Sequence, residues 1–67
     1  MNILNLKIQR IKKRKKQKEI AEQVGITQQY LANLENGKSK NPSRDLMIKL
    51  ADALDTTVQE LFFSEEE

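Results

Sequence analysis

Apolar residues recur at helical spacing along this chain, and no segment sustains the strict alternation that is typical of a β-strand. Turn-forming residues divide the pattern at Gly25, at Asn36-Gly37 and at Pro42. A chain of 67 residues buries only about 60% of the surface that its unfolded form exposes, so it has room for one small core. The sequence therefore predicts an all-α fold in which five short helices form one compact domain.

The first helix is predicted from Leu4, Ile8 and Ile11, which follow the i, i+4, i+7 spacing of one helix face. No glycine or proline interrupts this stretch, so we predict a helix over about residues 2–14 with Asn2 as its N-cap. The three apolar side chains are expected to face the core.

The second helix is predicted over residues 17–24, although Lys16 before it has no side-chain acceptor with which to cap it. Glu19 is placed to compensate, because its carboxylate can accept backbone N–H groups at the start of the helix. Gly25 ends the helix, since glycine adopts positive φ without steric cost.

N-caps are predicted for the last three helices by residues with a side-chain hydroxyl: Thr27, Ser43 and Thr57. Glu60, three residues after the last of these, completes the pattern of a capping box. The apolar residues that follow these caps at helical spacing are expected in the core: Leu31, Leu34, Leu46, Leu50, Ala51, Leu54, Leu61 and Phe62. We place the domain at residues 1–63 and expect the acidic end, residues 64–67, to fray.

The composition excludes several classes of protein. The chain has no Cys and no His, which excludes disulfide frameworks, thiolate nucleophiles, imidazole bases and the usual zinc sites. We therefore expect no enzymatic activity, no metal and no cofactor. The longest apolar runs are three residues, too short for a membrane span or a signal peptide, so we expect no membrane association and a cytoplasmic protein.

The net charge of +2 conceals a separation of charge along the chain. Residues 1–18 hold eight bases and no acid, residues 19–44 balance, and residues 45–67 hold one base against seven acids. A basic end of this kind attracts polyanions. The alternative is that the cations of residues 12–18 only form a solvated helix end, which suits the negative end of the helix dipole.

Residues 17–36 meet the requirements of two helices that cross sharply through a short turn. Such a pair needs apolar contacts, a small residue at the crossing and a turn residue that tolerates positive φ. Ala21 is the small residue and Gly25 opens the turn. The apolar contacts are supplied by Ile20, Val24, Ile26, Leu31 and Leu34. This combination indicates a helix-turn-helix at the centre of the domain.

Residues throughout the chain match the pattern of the Cro/repressor-type (XRE) helix-turn-helix family. The matching residues are Gln17, Ile20-Ala21, Gly25-Ile26-Thr27, Leu34-Glu35-Asn36-Gly37-Lys38, Pro42 and Leu50-Ala51 with Leu54. The chain resembles this family over about residues 6–62, and within it the DNA-binding domains of lambdoid phage repressors. The resemblance implies a lambda-repressor-like five-helix domain whose third helix, about residues 28–36, enters the major groove of double-stranded DNA, usually as half of a symmetric dimer.

The resemblance places the base-reading positions at the start of the third helix. A glutamine amide carries an acceptor and donors that match adenine N6 and N7, so Gln28 and Gln29 are the first candidates. Asn33 lies one turn further along the same face. Thr27 is expected both to cap the helix and to contact phosphate or a thymine methyl group. The alternative is that the glutamines are simply soluble helix formers.

Contacts with the DNA backbone are expected around the third helix. The free N–H groups where helix two starts, at Gln17, suit a phosphate oxygen, and the side chain of Gln17 is placed to brace Gln28. Tyr30 is expected to face away from the core, either with its hydroxyl toward the DNA backbone or as a plain surface aromatic. The remaining phosphate candidates are Asn36, Lys38, Ser39, Lys40 and Arg44. The alternative is that two of the bases among them are idle surface charges.

Two further pairs of residues have structural roles in this interpretation. The family pairs an Arg and a Glu at the positions of Arg10 and Glu35, which implies a partly buried ion pair that stabilises the fold rather than contacting DNA. Phe63, which follows the core residue Phe62, and Val58 are the apolar candidates for a dimer interface.

The sequence thus predicts a transcriptional regulator, most simply a nucleoid-associated repressor that binds a palindromic operator as a homodimer. One alternative keeps the fold but makes the domain an antitoxin-type or other protein-interaction module whose DNA binding is secondary. Another is nonspecific binding of RNA or anionic membranes through the basic first helix, which leaves the Thr27-Gln28-Gln29 array unexplained.

Overall fold

The computed structural model describes residues 3–39 and 41–63, with side chains from Asn5 onward. Its five helices are α1 (Ile3–Lys12), α2 (Gln17–Val24), α3 (Gln28–Glu35), α4 (Arg44–Ala53) and α5 (Val58–Phe62). The predicted all-α, five-helix fold is confirmed. The predictions for Asn2, for the side chain of Leu4, for Lys40 and for residues 64–67 lie outside the described part of the chain.

One apolar core holds the helices together. α1 packs against α3 and α5, α2 packs against α3 and α4, and α4 also packs against α5. The buried apolar residues are Leu6, Ile20, Ala21, Val24, Leu31, Leu34, Leu46, Leu50, Ala51, Leu54, Leu61 and Phe62. All eight core residues predicted for the last three helices are among them. Among the described residues, no helix has the length and apolar character needed to cross a membrane.

The predicted caps fix where the helices begin. The hydroxyls of three N-cap residues each accept a hydrogen bond, of 3.0–3.1 Å, from the backbone N–H three positions later: Thr27, Ser43 and Thr57. At the start of α2, the Glu19 carboxylate accepts from the Lys16 backbone N–H at 2.8 Å, as predicted. Glu60, which was expected to complete a capping box with Thr57, instead accepts from the Thr56 hydroxyl at 3.0 Å.

Left-handed backbone conformations end several of the helices. Gly25 has a φ of 82° and its N–H donates to the Ala21 carbonyl, which stops α2 where predicted. Asp55, after α4, has a φ of 56°, which Asp tolerates better than most residues. α1 ends at Lys12, two residues earlier than predicted, and Arg14 has a φ of 56°. A helix cannot continue through that conformation, so the predicted end of α1 is wrong.

α1 also turns a different face inward from the one that its apolar spacing predicted. Leu6 is fully buried, whereas Ile8 and Ile11 are 39% and 56% exposed. The expectation that Ile8 and Ile11 would face the core is therefore wrong.

Polar side chains explain this orientation of α1. The Asn5 amide donates to the Glu60 carbonyl at 3.1 Å, and the Gln9 amide donates to the Leu54 carbonyl at 3.2 Å. These bonds satisfy carbonyl groups in the last turn of α5 and at the C-cap of α4, which have no partner within their own helices. Apart from Leu6, the described side chains of α1 that are not exposed are polar, namely Asn5, Gln9 and Arg10, and the spacing of apolar residues alone did not identify this face.

Candidate nucleic-acid interface

α2 and α3 form a helix-turn-helix with the packing that the sequence predicted. Ala21 is 1% exposed, and the backbone N–H groups of Gly25 and Ile26 both donate to its carbonyl at 2.9 Å. Leu31 and Leu34 are fully buried, so the opposite side of α3 is left facing outward. This geometry presents the amino-terminal part of α3 on the surface of the domain.

The residues predicted to read bases lie on that outward side. Gln28 and Gln29, in the first turn of α3, are exposed. Thr27 is exposed as well, and its hydroxyl oxygen accepts the Tyr30 backbone N–H at 3.0 Å, so it caps the helix. The structure thus brings these three side chains together on one solvent-facing surface.

Asn33 extends the same surface by one turn. The Gln29 Nε2 donates to the Asn33 Oδ1 at 3.1 Å, so the two amides are in direct contact. Asn33 is half-buried, and its backbone carbonyl accepts the N–H groups of Lys38 at 2.8 Å and Ser39 at 3.2 Å. This residue therefore connects α3 to the loop that follows it.

That loop carries most of the candidate phosphate contacts. Asn36 and Lys38 are exposed, Ser39 is half-buried, and Gly37 between them has a φ of 80° that turns the chain away from α3. Arg44 is exposed at the first position of α4. Lys40 is not among the described residues.

Tyr30 departs from its predicted position. It was expected to face away from the core, but it is half-buried and packs against the core together with Ile26. The two residues line an open groove that also includes Leu46 of α4. Tyr30 is therefore neither directed away from the core nor a plain surface aromatic.

Gln17 makes a different contact from the one predicted. It is half-buried, and its Nε2 donates to the Glu35 Oε1 at 3.0 Å. The expectation that its side chain would brace Gln28 is wrong, because the amide is directed toward the end of α3 rather than its beginning. The Glu35 carboxylate is charged, so it is a stronger hydrogen-bond acceptor for the Gln17 amide than the neutral side chain of Gln28.

Arg10 and Glu35 form a bidentate ion pair. The Arg10 Nε lies 2.6 Å from the Glu35 Oε2, and the Arg10 Nη2 donates to the Glu35 Oε1 at 3.1 Å. The side chains are 12% and 1% exposed. The Arg10 Nη1 also donates to the Lys15 carbonyl at 2.7 Å. One guanidinium therefore connects α1, α3 and the loop before α2.

The role of Lys15 was not visible in the sequence. Its side chain is exposed, and its structural contribution is a backbone carbonyl, which any residue would supply. No residue pattern marks such a position. Only the distance from Arg10 in the folded chain identifies it.

Most of the basic side chains in residues 1–18 are exposed to solvent, where they attract polyanions from a distance. Of the eight bases in this segment, all except Arg10 are exposed: Lys7, Lys12, Lys13, Arg14, Lys15, Lys16 and Lys18. Lys13 lies 3.5 Å from Asp55 in an exposed ion pair, which contributes about 0–1 kcal/mol. The exposed cations make the surface of this segment positive.

The two residues predicted for a dimer interface lie at the two ends of α5, Val58 as its first residue and Phe63 as its C-cap. Phe63 is 45% exposed directly after the fully buried Phe62, while Val58 is half-buried and packs against the core. Within the described residues, no group of His, Cys, Asp and Glu side chains is arranged to hold a metal ion.

The crossing of α2 and α3, the exposed amides on α3 and the basic surface define a DNA-binding helix-turn-helix domain. The chain belongs to the Cro/C1-type (XRE) helix-turn-helix family, whose model, described as Helix-turn-helix, matches residues 6–61. The family places the chain among DNA-binding transcription regulators of the XRE kind. The comparison with curated proteins found no match.

A solved structure supports the same assignment. A chain in the structure of a complex between the SinR protein and the SinI protein has a similar fold, with a TM-score of 0.86 and 30% sequence identity. The similarity covers 96% of this chain and 62% of that one. This chain thus spans less than two thirds of the length of its structural relative.

Proposed function

We propose that this protein is a sequence-specific transcriptional regulator that binds double-stranded DNA and reads the major groove with α3. The observation that carries the proposal is the set of amide side chains on α3, the exposed Gln28 and Gln29 with the half-buried Asn33, together with the exposed cations of residues 7–18. A major groove admits one α-helix, and the edge of adenine in that groove matches the hydrogen-bonding pattern of an amide. The basic surface supplies attraction that does not depend on sequence.

The proposal divides the contacts into two classes. Gln28, Gln29 and Thr27 contact base edges, and Asn33, whose side chain accepts from the Gln29 amide, belongs with them to the set that determines sequence preference. A second set contacts phosphates and fixes the position of the domain on the duplex: Gln17, Tyr30, Asn36, Lys38, Ser39, Lys40 and Arg44. Phosphate contacts of this kind carry affinity but little sequence information.

Repression is the simplest consequence of such binding. Repression requires only that the domain occupy a promoter, for which affinity and sequence specificity are sufficient. We therefore propose a repressor that acts in the cytoplasm at the nucleoid.

We propose that the protein binds a palindromic operator as a two-fold symmetric homodimer. One domain of this size reaches only a short half-site, and a genome offers too many copies of a short site for one domain to be selective. The half-sites of a dimer would lie about one helical turn, roughly 34 Å, apart. Phe63 and Val58 are proposed as part of the interface, because Phe63 is a large apolar side chain that α5 leaves exposed.

Substitution of Phe63 tests that interface. Phe63→Ala should abolish cooperative dimer binding to the operator in sedimentation experiments, since it removes the main apolar anchor. Ile11→Ala is a matched control, because Ile11 is at least as exposed but lies on α1. If Phe63→Ala still binds as a dimer with wild-type cooperativity, the interface lies elsewhere on the domain.

The dependence of duplex binding on salt tests the proposal for nucleic acid as a whole. If roughly three to five phosphates are neutralised per subunit, a log–log plot of affinity against salt should have a slope of about −3 to −5 per subunit. Lys38→Ala should lower the affinities for operator and unrelated duplex together and reduce the slope by about one unit. A slope near zero would contradict binding through phosphates. Double-stranded RNA of equal length is the competitor that distinguishes DNA binding from nonspecific RNA binding.

A protein-interaction module is the second candidate function. The observation that favours it is that the structural relative was solved in a complex of two proteins, SinR and SinI. A module of this kind, with secondary DNA binding, should bind a selected duplex and a shuffled duplex with similar affinity. The regulator proposed here should distinguish the two strongly.

A further inference from the structure

The contact between Gln29 and Asn33 joins two of the proposed base-reading residues, although they lie a full turn apart on α3. The Gln29 Nε2 donates to the Asn33 Oδ1 at 3.1 Å. Side chains four positions apart on a helix are neighbours, so the contact needs no distortion of α3. The two amides therefore do not approach DNA as independent groups.

Asn33 is the fixed member of this pair. It is half-buried, and its backbone carbonyl accepts the N–H groups of Lys38 at 2.8 Å and Ser39 at 3.2 Å. Its side chain is also one bond shorter than that of Gln29, which is exposed. Because Asn33 is half-buried and has the shorter side chain, the hydrogen bond mainly restricts the longer, exposed side chain of Gln29.

The chemistry of a primary amide determines what this restriction leaves available. The Gln29 nitrogen carries two hydrogens, one on the same side as the amide oxygen and one on the opposite side. A bidentate contact with adenine uses the oxygen and the hydrogen beside it, which match adenine N6 and N7. The opposite hydrogen can donate to Asn33 at the same time, so the contact with Asn33 and the contact with adenine are compatible.

We propose that Asn33 is a positioning residue that holds Gln29 for bidentate recognition of adenine. This inference rests on the proposed function, because it assigns roles within the same α3 surface. Asn33 acts through Gln29 and selects no separate base pair of its own. Holding Gln29 before DNA arrives lowers the conformational entropy that recognition costs.

Gln28 provides an internal comparison. Within the part of the chain that the structure describes, no hydrogen bond holds the Gln28 side chain. Gln28 precedes Asn33 by five positions, whereas Gln29 precedes it by four, the spacing at which side chains on a helix are neighbours. The base preference that Gln28 determines should therefore be independent of Asn33. The proposal predicts an effect of Asn33 at one base pair of the half-site and no effect at the others.

Selection from a pool of random duplexes tests the proposal directly. The wild-type protein, Gln29→Ala, Asn33→Ala and the double variant are each used to select bound sites, with Gln23→Ala, an exposed glutamine on α2, as a matched control. The wild type and the control should select the same operator. Gln29→Ala should lose the preference for adenine at one position. Asn33→Ala should weaken that same preference about 2- to 10-fold, as expected for the loss of one hydrogen bond.

The double variant and a conservative substitution decide whether Asn33 acts through Gln29. In the Gln29→Ala background, Asn33→Ala should cause no further change in base preference. Asn33→Asp retains an oxygen that accepts from the Gln29 amide, so it should keep the preference even though its added negative charge weakens overall affinity. Melting temperatures of the variants check that each protein is folded.

Two results would overturn the inference, and they differ from a failure of the proposed function. If Asn33→Ala alters preference at a different base pair, or if its effect and that of Gln29→Ala add independently, Asn33 reads a base by itself. If the wild-type protein selects no sequence at all from the pool, the proposed function fails and this inference fails with it.

Discussion

Replacement of Arg10 by alanine should lower the free energy of unfolding by about 3–5 kcal/mol. The Glu35 carboxylate is 1% exposed and accepts two hydrogen bonds from the Arg10 guanidinium. Without that partner, a buried charge is left with the Gln17 amide as its remaining side-chain donor. The Lys15 carbonyl loses its donor as well. A 67-residue domain has a total stability of about 3–10 kcal/mol, so the substitution should remove between about a third and all of the stability.

Urea denaturation of three variants measures this effect. Lys13→Ala removes an exposed ion pair directly after the helix that carries Arg10 and should cost no more than about 1 kcal/mol. The double replacement Arg10→Met with Glu35→Leu removes both charges and should retain most of the wild-type stability, because it leaves no unpaired buried charge. If Arg10→Ala is no more destabilising than Lys13→Ala, the pair is not a structural element of the core.

Gln28→Ala should weaken binding to the operator roughly 5- to 150-fold, which corresponds to the loss of one bidentate amide contact with a base. Affinity for unrelated duplex should barely change, because Gln28 contributes no charge. Its thermal stability should remain close to that of the wild type, since the side chain is exposed and makes no packing contact with the core. Titration of operator and random duplex with both proteins provides the measurement.

Gln23→Ala again serves as the control for Gln28→Ala, because it makes the same substitution at an exposed position of the neighbouring helix. It should leave both affinities unchanged. An unchanged ratio of operator to random affinity in Gln28→Ala would mean that Gln28 does not read bases. The specificity would then have to come from Gln29 with Asn33.

Capping and turn residues allowed much of the fold to be predicted from the sequence. Thr27, Ser43 and Thr57 cap the helices that they were predicted to cap, and Gly25 ends α2 with positive φ. These signals are local, because the acceptor or the φ angle belongs to the residue itself. They remain valid whatever packs against the helix.

The errors arise where the packing partner, rather than the local sequence, decides the outcome. The stripe of Ile8 and Ile11 predicted the inner face of α1, but Asn5 and Gln9 face inward to bond carbonyls of α4 and α5. Tyr30 was placed away from the core because it lies off the Leu31 and Leu34 stripe. No periodicity within one helix reveals which groups of distant helices need partners.

The candidate site was predictable to a different extent for its exposed and its buried residues. The exposed positions of Gln28 and Gln29 follow from the helix-turn-helix pattern, which fixes the outward face of α3. The bond from Gln17 to Glu35, and that from Arg10 to the Lys15 carbonyl, depend on distances between separate elements. The resemblance to the family indicated the Arg10 and Glu35 pair but not the further groups that it organises.

The central claim is sequence-specific recognition of double-stranded DNA, and a comparison of two affinities tests it most directly. The wild-type protein is titrated at physiological salt with the duplex that it selects from a random pool and with a shuffled duplex of the same length and composition. Specific recognition predicts an affinity for the selected duplex at least about a thousandfold higher. Equal affinity for the two duplexes would contradict the claim, even if both were bound tightly.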